Sequence, residues 1–150
     1  MNQHSAISHL QFGTWPSPIR AVDVAGQQLR FGGVALDGGD AYWVEGRPAE
    51  GGRNVVVRRG ADGMVAEATP PGTSVRTRVH EYGGGAFAVA AGTVYFADDA
   101  DQRLYRIDRG AEPAVAITPP GPWRYADVAI DLPRWRAIAV REEHPARGAP

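Results

Sequence analysis

The feature that most constrains this chain is an internal repeat, in which the segment 36–45 aligns with the segment 89–98 at a constant offset of 53 residues. In each copy an apolar run is followed by a short turn with glycine and then by a second run that carries two adjacent aromatic residues. This pattern is typical of a β-hairpin. A repeat of this period predicts one supersecondary unit used several times along the chain.

The correspondence continues beyond the hairpins and supplies a third and a fourth strand to each copy. A third copy begins at 125–131, and we interpret the stretch 134–143 that follows it as a strand rather than a short helix, because the context of the repeat outweighs local periodicity. The further aligned segments are 54–60 with 103–110 and 64–70 with 113–119.

Four short strands per repeat are typical of β-propeller blades, which run about 40 to 50 residues each. We therefore expect an all-β chain that forms a partial β-propeller of about two and a half blades, each complete blade being a four-stranded antiparallel sheet. Residues 1–29 are interpreted as an extended lead-in segment and residues 30–150 as the incomplete propeller. The expected bounds are about 30–71 for blade 1, about 81–120 for blade 2 and about 124–150 for the first half of blade 3.

The basic residues exclude two classes of function, because all 16 are arginine and none is lysine. Schiff-base catalysis by lysine and the phosphate-binding lysine of a P-loop are therefore excluded. The formal net charge of -1, with arginine spread along the chain, does not favour a nucleic acid as partner. Since there is no cysteine, the chain has no disulfide, thiolate zinc site or thiol nucleophile.

Serine and histidine do not occur in patterns that predict catalysis or metal binding within this chain. No serine lies in the Gly-x-Ser-x-Gly context of a nucleophile elbow, and no two histidines have the spacing of metal ligands on a helix. We expect no catalytic residue, no metal and no cofactor. The first ten residues lack the apolar run of a signal peptide and no stretch has the length of a membrane span, so we expect a cytoplasmic protein without membrane contact.

The most unusual stretch is 76–85, in which charged residues and a tyrosine precede three consecutive glycines that indicate close backbone approach. A second charged cluster, 141–144, follows the second strand of the third blade, and propeller topology places both loops on one face. The alternative to a functional role is a structural one, in which His80 and Glu81 form hydrogen bonds to neighbouring blades and Arg76 and Arg78 form solvated ion pairs. The candidates for contact with a substrate or a neighbouring domain are Arg76, Arg78, His80, Glu81, Tyr82, Glu142 and Glu143.

A set of motifs that occur in order carries a resemblance to a known family; their segments are 15–19, 36–48, 75–85, 100–105, 124–127 and 140–144. Together they resemble the amino-terminal propeller of prolyl oligopeptidase family serine peptidases, in particular the bacterial dipeptidyl aminopeptidase and acylaminoacyl peptidase-like branch. The resemblance implies a two-domain enzyme in which the propeller covers an α/β-hydrolase domain with a Ser-Asp-His triad and admits only short peptides. It implies that this chain is a fragment without that domain, whose partners in the parent protein are the catalytic domain and short peptides.

Two other functions are compatible with the same residues. A stand-alone binding or scaffold module could complete its ring by oligomerising, since a donated strand would finish the third blade. A metal-dependent lactonase-type propeller would need carboxylates, amides or histidines converging on a divalent ion, and only Glu81 is suggestively placed for that role.

Overall fold

The computed structural model describes residue 14, residues 17–20 and residues 28–144. Most of the predicted lead-in segment 1–29, and the last residues of the predicted third blade, 145–150, lie outside the described residues. The described strands are β1 (Arg30–Asp37), β2 (Asp40–Arg47), β3 (Arg53–Arg59), β4 (Val65–Glu67), β5 (Phe87–Ala90), β6 (Thr93–Ala97), β7 (Leu104–Asp108), β8 (Val115–Ala116), β9 (Trp123–Asp131) and β10 (Arg136–Glu143).

These strands form two four-stranded antiparallel sheets, in the orders β1-β2-β3-β4 and β5-β6-β7-β8, and one two-stranded sheet of β9 and β10. The prediction of an all-β partial propeller is confirmed, and so is the strand predicted near residue 140. The helical residues within the described ranges are two single 3-10 turns, Pro48–Glu50 and Leu132–Arg134. In this part of the chain no helix has the length and apolar character needed to cross a membrane.

The hairpins follow from local sequence. Ala91 and Gly92 join β5 to β6, and both have positive φ, as a two-residue turn of type I′ requires. In β1 the pairing with β2 shifts at Gly33, which has a φ of +43° and forms a β-bulge. An added Cβ at Gly33 would lie 3.0 Å from the ring of Phe87, so glycine also permits the close approach of β1 to the second sheet.

The core lies between successive sheets. Val94 and Phe96 of β6 pack toward the first sheet, in a buried cluster with Tyr42, Val56, Val75 and Ile107. On the other face of the second sheet, Ala97 and Leu104 pack against Tyr125 of β9. The second sheet therefore packs one face against the first sheet and the other against the third, as propeller blades do.

At the two ends of this stack, apolar side chains of the strands β1 and β10 are exposed. Phe31, Val34 and Leu36 of β1 share one face, which we call the first open face, and are 72%, 78% and 76% exposed. Ile138 and Val140 of β10 form the last open face, on the side opposite the packed Ala139. The stack thus exposes an apolar surface at each end.

Candidate functional site

The candidate residues centre on the connector, residues 76–86, which links the first sheet to β5. Its first half is extended, and the side chains of Val75, Thr77 and Val79 are buried while the intervening residues point outward. Val75 forms an isolated antiparallel bridge with Asp98, and the Arg76 N–H donates to the carbonyl of Ala97 at 3.0 Å. The connector is therefore held as an added extended segment beside the end of β6.

The β6–β7 turn fixes Arg78. The Arg78 guanidinium forms an ion pair with the Asp99 carboxylate at 2.9 Å and donates a further bond to the Asp99 carbonyl. The buried side chain of Gln102 accepts the Arg78 N–H at 2.7 Å and donates to the carbonyl of Arg76. The backbone on both sides of Arg78 is consequently bonded to the second sheet.

The tip of the connector is a tight turn with two strained residues. His80 and Glu81 have φ values of +56° and +61°, a left-handed conformation that costs free energy for residues other than glycine. The turn is closed by the Gly83 N–H, which donates to the carbonyl of Val79 at 2.9 Å. Tyr82 stands at this tip with 96% of its surface exposed.

The third sheet holds this turn through Glu142 of β10. The Glu142 carboxylate accepts the His80 N–H at 2.9 Å and lies 2.8 Å from Nδ1 of the same histidine. Its second oxygen lies 3.0 Å from Nε2 of His144. The bond to His144, together with the His80 N–H, lowers the pKa of Glu142 below its ordinary value, so the carboxylate is ionised at neutral pH.

Two residues at the start of β9 hold the rest of the connector. The Arg124 guanidinium donates to the carbonyl of Arg78 at 2.9 Å. Asp127 exchanges two bonds with Gly85: its carboxylate accepts the Gly85 N–H at 2.7 Å, and its own N–H donates to the Gly85 carbonyl at 2.8 Å. A Cβ at Gly84 would lie 2.9 Å from Ala126, and one at Gly85 would lie 2.8 Å from the Asp127 carboxylate. The glycines therefore allow this close contact.

The structure brings three of the predicted site residues, Arg78, His80 and Glu142, into one bonded network that joins the connector to the second and third sheets. The structural roles considered above apply to His80, which bonds the third sheet, and to Arg78, which forms an ion pair. These structural roles do not apply to the other candidates. Within the described part of the chain, the side chains of four of them are exposed and have no hydrogen-bond or ion-pair partner, namely Arg76, Glu81, Tyr82 and Glu143.

Sequence reasoning missed four residues that position the site, namely Asp99, Gln102, Arg124 and Asp127. The repeat could have indicated these residues, because it places the end of β6 and the start of β9 on the same face as the connector. What the repeat does not provide is the pairing of individual side chains, since that depends on the exact distance between neighbouring sheets.

The described serines do not form part of a nucleophile–base pair. Ser17 and Ser74, the serines among the described residues, accept the backbone N–H groups of Ile19 and Asn54, and neither contacts a histidine. Acyl transfer requires a nucleophile, a base and oxyanion donors in one geometry. Within the described ranges, moreover, no group of three or more histidine, aspartate or glutamate side chains has an arrangement that could hold a metal ion.

Comparison with known proteins gives matches among solved structures. No protein-family profile and no curated protein matches the chain. A puromycin-hydrolyzing peptidase of Mycobacterium tuberculosis is 37% identical over 93% of this chain, with a TM-score of 0.81. A puromycin hydrolase is 37% identical over 82% of it, with a TM-score of 0.68, and a mutant of puromycin hydrolase complexed with PGG matches at 37% identity over 82%, with a TM-score of 0.70.

These matches cover nearly all of this chain but little of the matched proteins. The chain spans 22% of the mycobacterial peptidase and 20% of each puromycin hydrolase chain. The matched part is the propeller region of those peptidases. The ordered sequence motifs and the structural matches agree that this chain is a partial β-propeller, similar to the propeller region of prolyl oligopeptidase family peptidases.

Proposed function

We propose that this chain is the non-catalytic propeller portion of a serine peptidase that acts on short peptides, and that it controls access to an α/β-hydrolase domain with a Ser-Asp-His triad. The observation that carries the proposal is the match to a peptidase over 93% of this chain but only 22% of the peptidase. The chain is then a fragment whose catalytic partner is the remainder of the parent protein. We extend the proposal to a cytoplasmic parent of the dipeptidyl aminopeptidase-like branch.

The connector supports a contact role for the candidate face. Its backbone is bonded to the second sheet through Gln102 and to the third sheet through Glu142 and Asp127. This fixes the connector backbone that carries Arg76, Glu81 and Tyr82, beside Glu143 of β10, so that a cation, two carboxylates and a phenol project from one rim. A backbone that is already ordered loses little entropy on binding, so this rim suits contact with a peptide or with the hydrolase domain.

The two open faces support the proposal that the ring is incomplete. Successive sheets in this chain bury apolar residues of facing strands, as Tyr42 and Phe96 do between the first two. Phe31, Val34 and Leu36 form a similar apolar row at one end of the stack but have no sheet of the described residues against them. Additional blades of the parent would cover this row in the same way.

An activity assay tests the proposal. The purified 150-residue chain is incubated with aminoacyl and dipeptidyl naphthylamides and with puromycin, and we expect no hydrolysis. The gene sequence downstream of the codon for residue 150 is then read, where we expect a hydrolase domain with a Gly-x-Ser-x-Gly motif. Hydrolysis by the chain alone, or a stop codon with no hydrolase-like sequence in any frame, would contradict the proposal.

The contact role of the rim is tested in the complete parent enzyme. The substitutions Tyr82→Ala and Arg76→Gln are compared with Arg59→Gln as a control. Arg59 is an exposed arginine at the last position of β3, away from the connector. We expect the first two to change the ratio of kcat/KM for longer against shorter peptides, and the third to leave it unchanged. Equal ratios in all three variants would show that the rim does not touch the substrate.

A further inference from the structure

One carboxylate of the third sheet lies between two imidazoles. Glu142 of β10 is 2.8 Å from Nδ1 of His80 through one oxygen and 3.0 Å from Nε2 of His144 through the other. The Glu142 side chain is 24% exposed, whereas the side chains of His80 and His144 are 60% and 36% exposed. Both imidazoles can therefore exchange protons with solvent while they contact a partly buried carboxylate.

The third sheet is the fixed side of this arrangement, and the tip of the connector is its strained side. The His144 N–H donates to the carbonyl of Pro122 at 2.6 Å, and β10 pairs with β9. His80 and Glu81, in contrast, adopt the left-handed conformation, which is strained for residues other than glycine and persists only where surrounding contacts hold it. Glu142 supplies such contacts to both the N–H and the imidazole of His80.

The other charged groups around Glu142 keep their charge near neutral pH. Arg124 stands opposite Glu142 in the register of β9 and β10, and its guanidinium donates to the carbonyl of Arg78. Guanidinium groups and carboxylates hold a constant charge between about pH 5.5 and 8, whereas imidazoles change theirs in this range. The charged side chains of the neighbouring elements are Arg78 and Glu81 of the connector, Asp99 of the β6–β7 turn, Arg124 of β9, and Arg141 and Glu143 of β10.

We propose that His80, Glu142 and His144 form a pH-sensitive latch on the tip of the connector. When the imidazoles are protonated, their bonds to the Glu142 carboxylate become ion pairs and hold the strained turn closed. When the imidazoles are neutral, the same bonds lack the charge of the donor, and the turn opens more often. The latch controls how firmly Glu81 and Tyr82 are held at the tip, and it acts whether or not the chain is part of a peptidase.

Exchange of backbone amides with solvent, measured by NMR on the 150-residue chain between about pH 5.5 and 8, tests the proposal. The Gly83 amide is the probe, because its bond to the Val79 carbonyl closes the turn. After each rate is divided by the intrinsic rate at that pH, we expect the Gly83 amide to open about threefold to tenfold more often at the upper pH. The Gly63 amide, which bonds the Gly60 carbonyl in the β3–β4 turn, is the internal control and should open equally at both pH values.

Two substitutions replace a titrating donor by a neutral one. His80→Asn retains a donor close to the position of Nδ1 and suits the left-handed conformation. His144→Gln retains a neutral donor that can reach Glu142. We expect the pH dependence at Gly83 to decrease in each variant and to disappear in the double variant. If the double variant does not fold, the two single variants take its place.

The outcome in the wild-type chain decides first. A Gly83 amide that opens equally at both pH values would overturn the proposal, and so would an equal change at Gly63, since that would report a response of the whole chain. A pH dependence that remains undiminished in the variants would show that other groups cause it and would also overturn the proposal. If the wild-type chain associates, Val34→Thr with Leu36→Thr, which changes only the first open face, serves as the background for every measurement.

Discussion

Asp40 is a buried carboxylate that ties the first sheet to the second. It accepts bonds from the Arg58 guanidinium at 2.8 Å, from the Ala61 N–H at 3.0 Å and from Arg109 of the β7–β8 turn. The Arg58 bond holds the pKa of Asp40 below its ordinary value of 3.8. Since the folded pKa is depressed, this stabilisation is complete above about pH 4 and is lost as the pH falls through the folded pKa.

We expect Asp40→Asn to lower the unfolding temperature at neutral pH, and the difference from the wild-type chain to shrink as the pH falls below about 4. Thermal unfolding followed by circular dichroism between about pH 2.5 and 7 measures this. Asp62→Asn is the control, because Asp62 is exposed and bonds the Met64 N–H within its own turn. A loss of stability in Asp40→Asn that is equal at every pH would contradict the electrostatic explanation.

The glycines of the connector give a second prediction for single residues. A Cβ at Gly85 would lie 2.8 Å from the Asp127 carboxylate, closer than van der Waals contact allows. We expect Gly85→Ala to reduce the free energy of unfolding by about 1–3 kcal/mol, measured by urea denaturation. Gly32→Ala is the matched control, since a Cβ there has no neighbour within 4 Å, and its effect should stay within about 0.5 kcal/mol. Equal effects of the two substitutions would show that close contact with Asp127 is not the cause.

Sequence patterns predicted that certain residues make close contacts, but not which residues they contact. Three consecutive glycines indicated close backbone approach, and the structure confirms it, but the partner is Asp127, 42 residues away from Gly85. The bond between Asp40 and Arg109 joins residues 69 apart in the chain. Such pairs depend on how two sheets are placed against each other, and hydrophobic periodicity within one strand contains no information on that placement.

At the scale of elements, the connector depends on Glu142 for its conformation. The carboxylate accepts the His80 N–H and contacts two imidazole rings, and a glutamine amide has only one acceptor oxygen for these partners. We expect Glu142→Gln to speed hydrogen exchange of the Gly83 and Gly85 amides several-fold, because the turn opens more often. NMR exchange measurements test this.

Glu143→Gln is the control for that experiment, since its carboxylate is adjacent in sequence and exposed and has no side-chain partner among the described residues. It should leave the exchange rates of both amides unchanged. Equal rates in wild-type chain and Glu142→Gln would mean that the bonds of Asp127 and Gln102 alone hold the connector.

The elements themselves follow from sequence where the repeat is strong. Alternating apolar residues and a Gly-containing turn specify hairpins such as β5–β6, because both features act within a few residues. The extended conformation of the connector was harder to predict from the sequence, although Val75, Thr77 and Val79 alternate with charged residues as they would in a strand. The bulge at Asp127, which has a φ of +53°, could not be predicted, since no glycine marks it.

For the molecule as a whole, the two open faces determine how the isolated chain behaves. The first open face presents three large apolar side chains, each more than 70% exposed. Exposed apolar rows on a sheet favour association, because burying them removes apolar surface from water. Under the proposed function, further blades of a larger protein would cover this surface, whereas in the isolated chain a second copy can do so.

The double substitution Val34→Thr with Leu36→Thr should therefore reduce association of the isolated chain, because it places hydroxyls on the first open face while retaining side chains that suit a strand. Light scattering after size-exclusion chromatography, over a series of concentrations, measures the average mass. Met64→Gln with Val65→Thr is the control, since these exposed residues lie at the edge of the first sheet. A polydisperse wild-type chain that becomes monomeric only in the first variant supports an incomplete ring. A single discrete oligomer that melts cooperatively would instead favour a module that completes its ring by self-association.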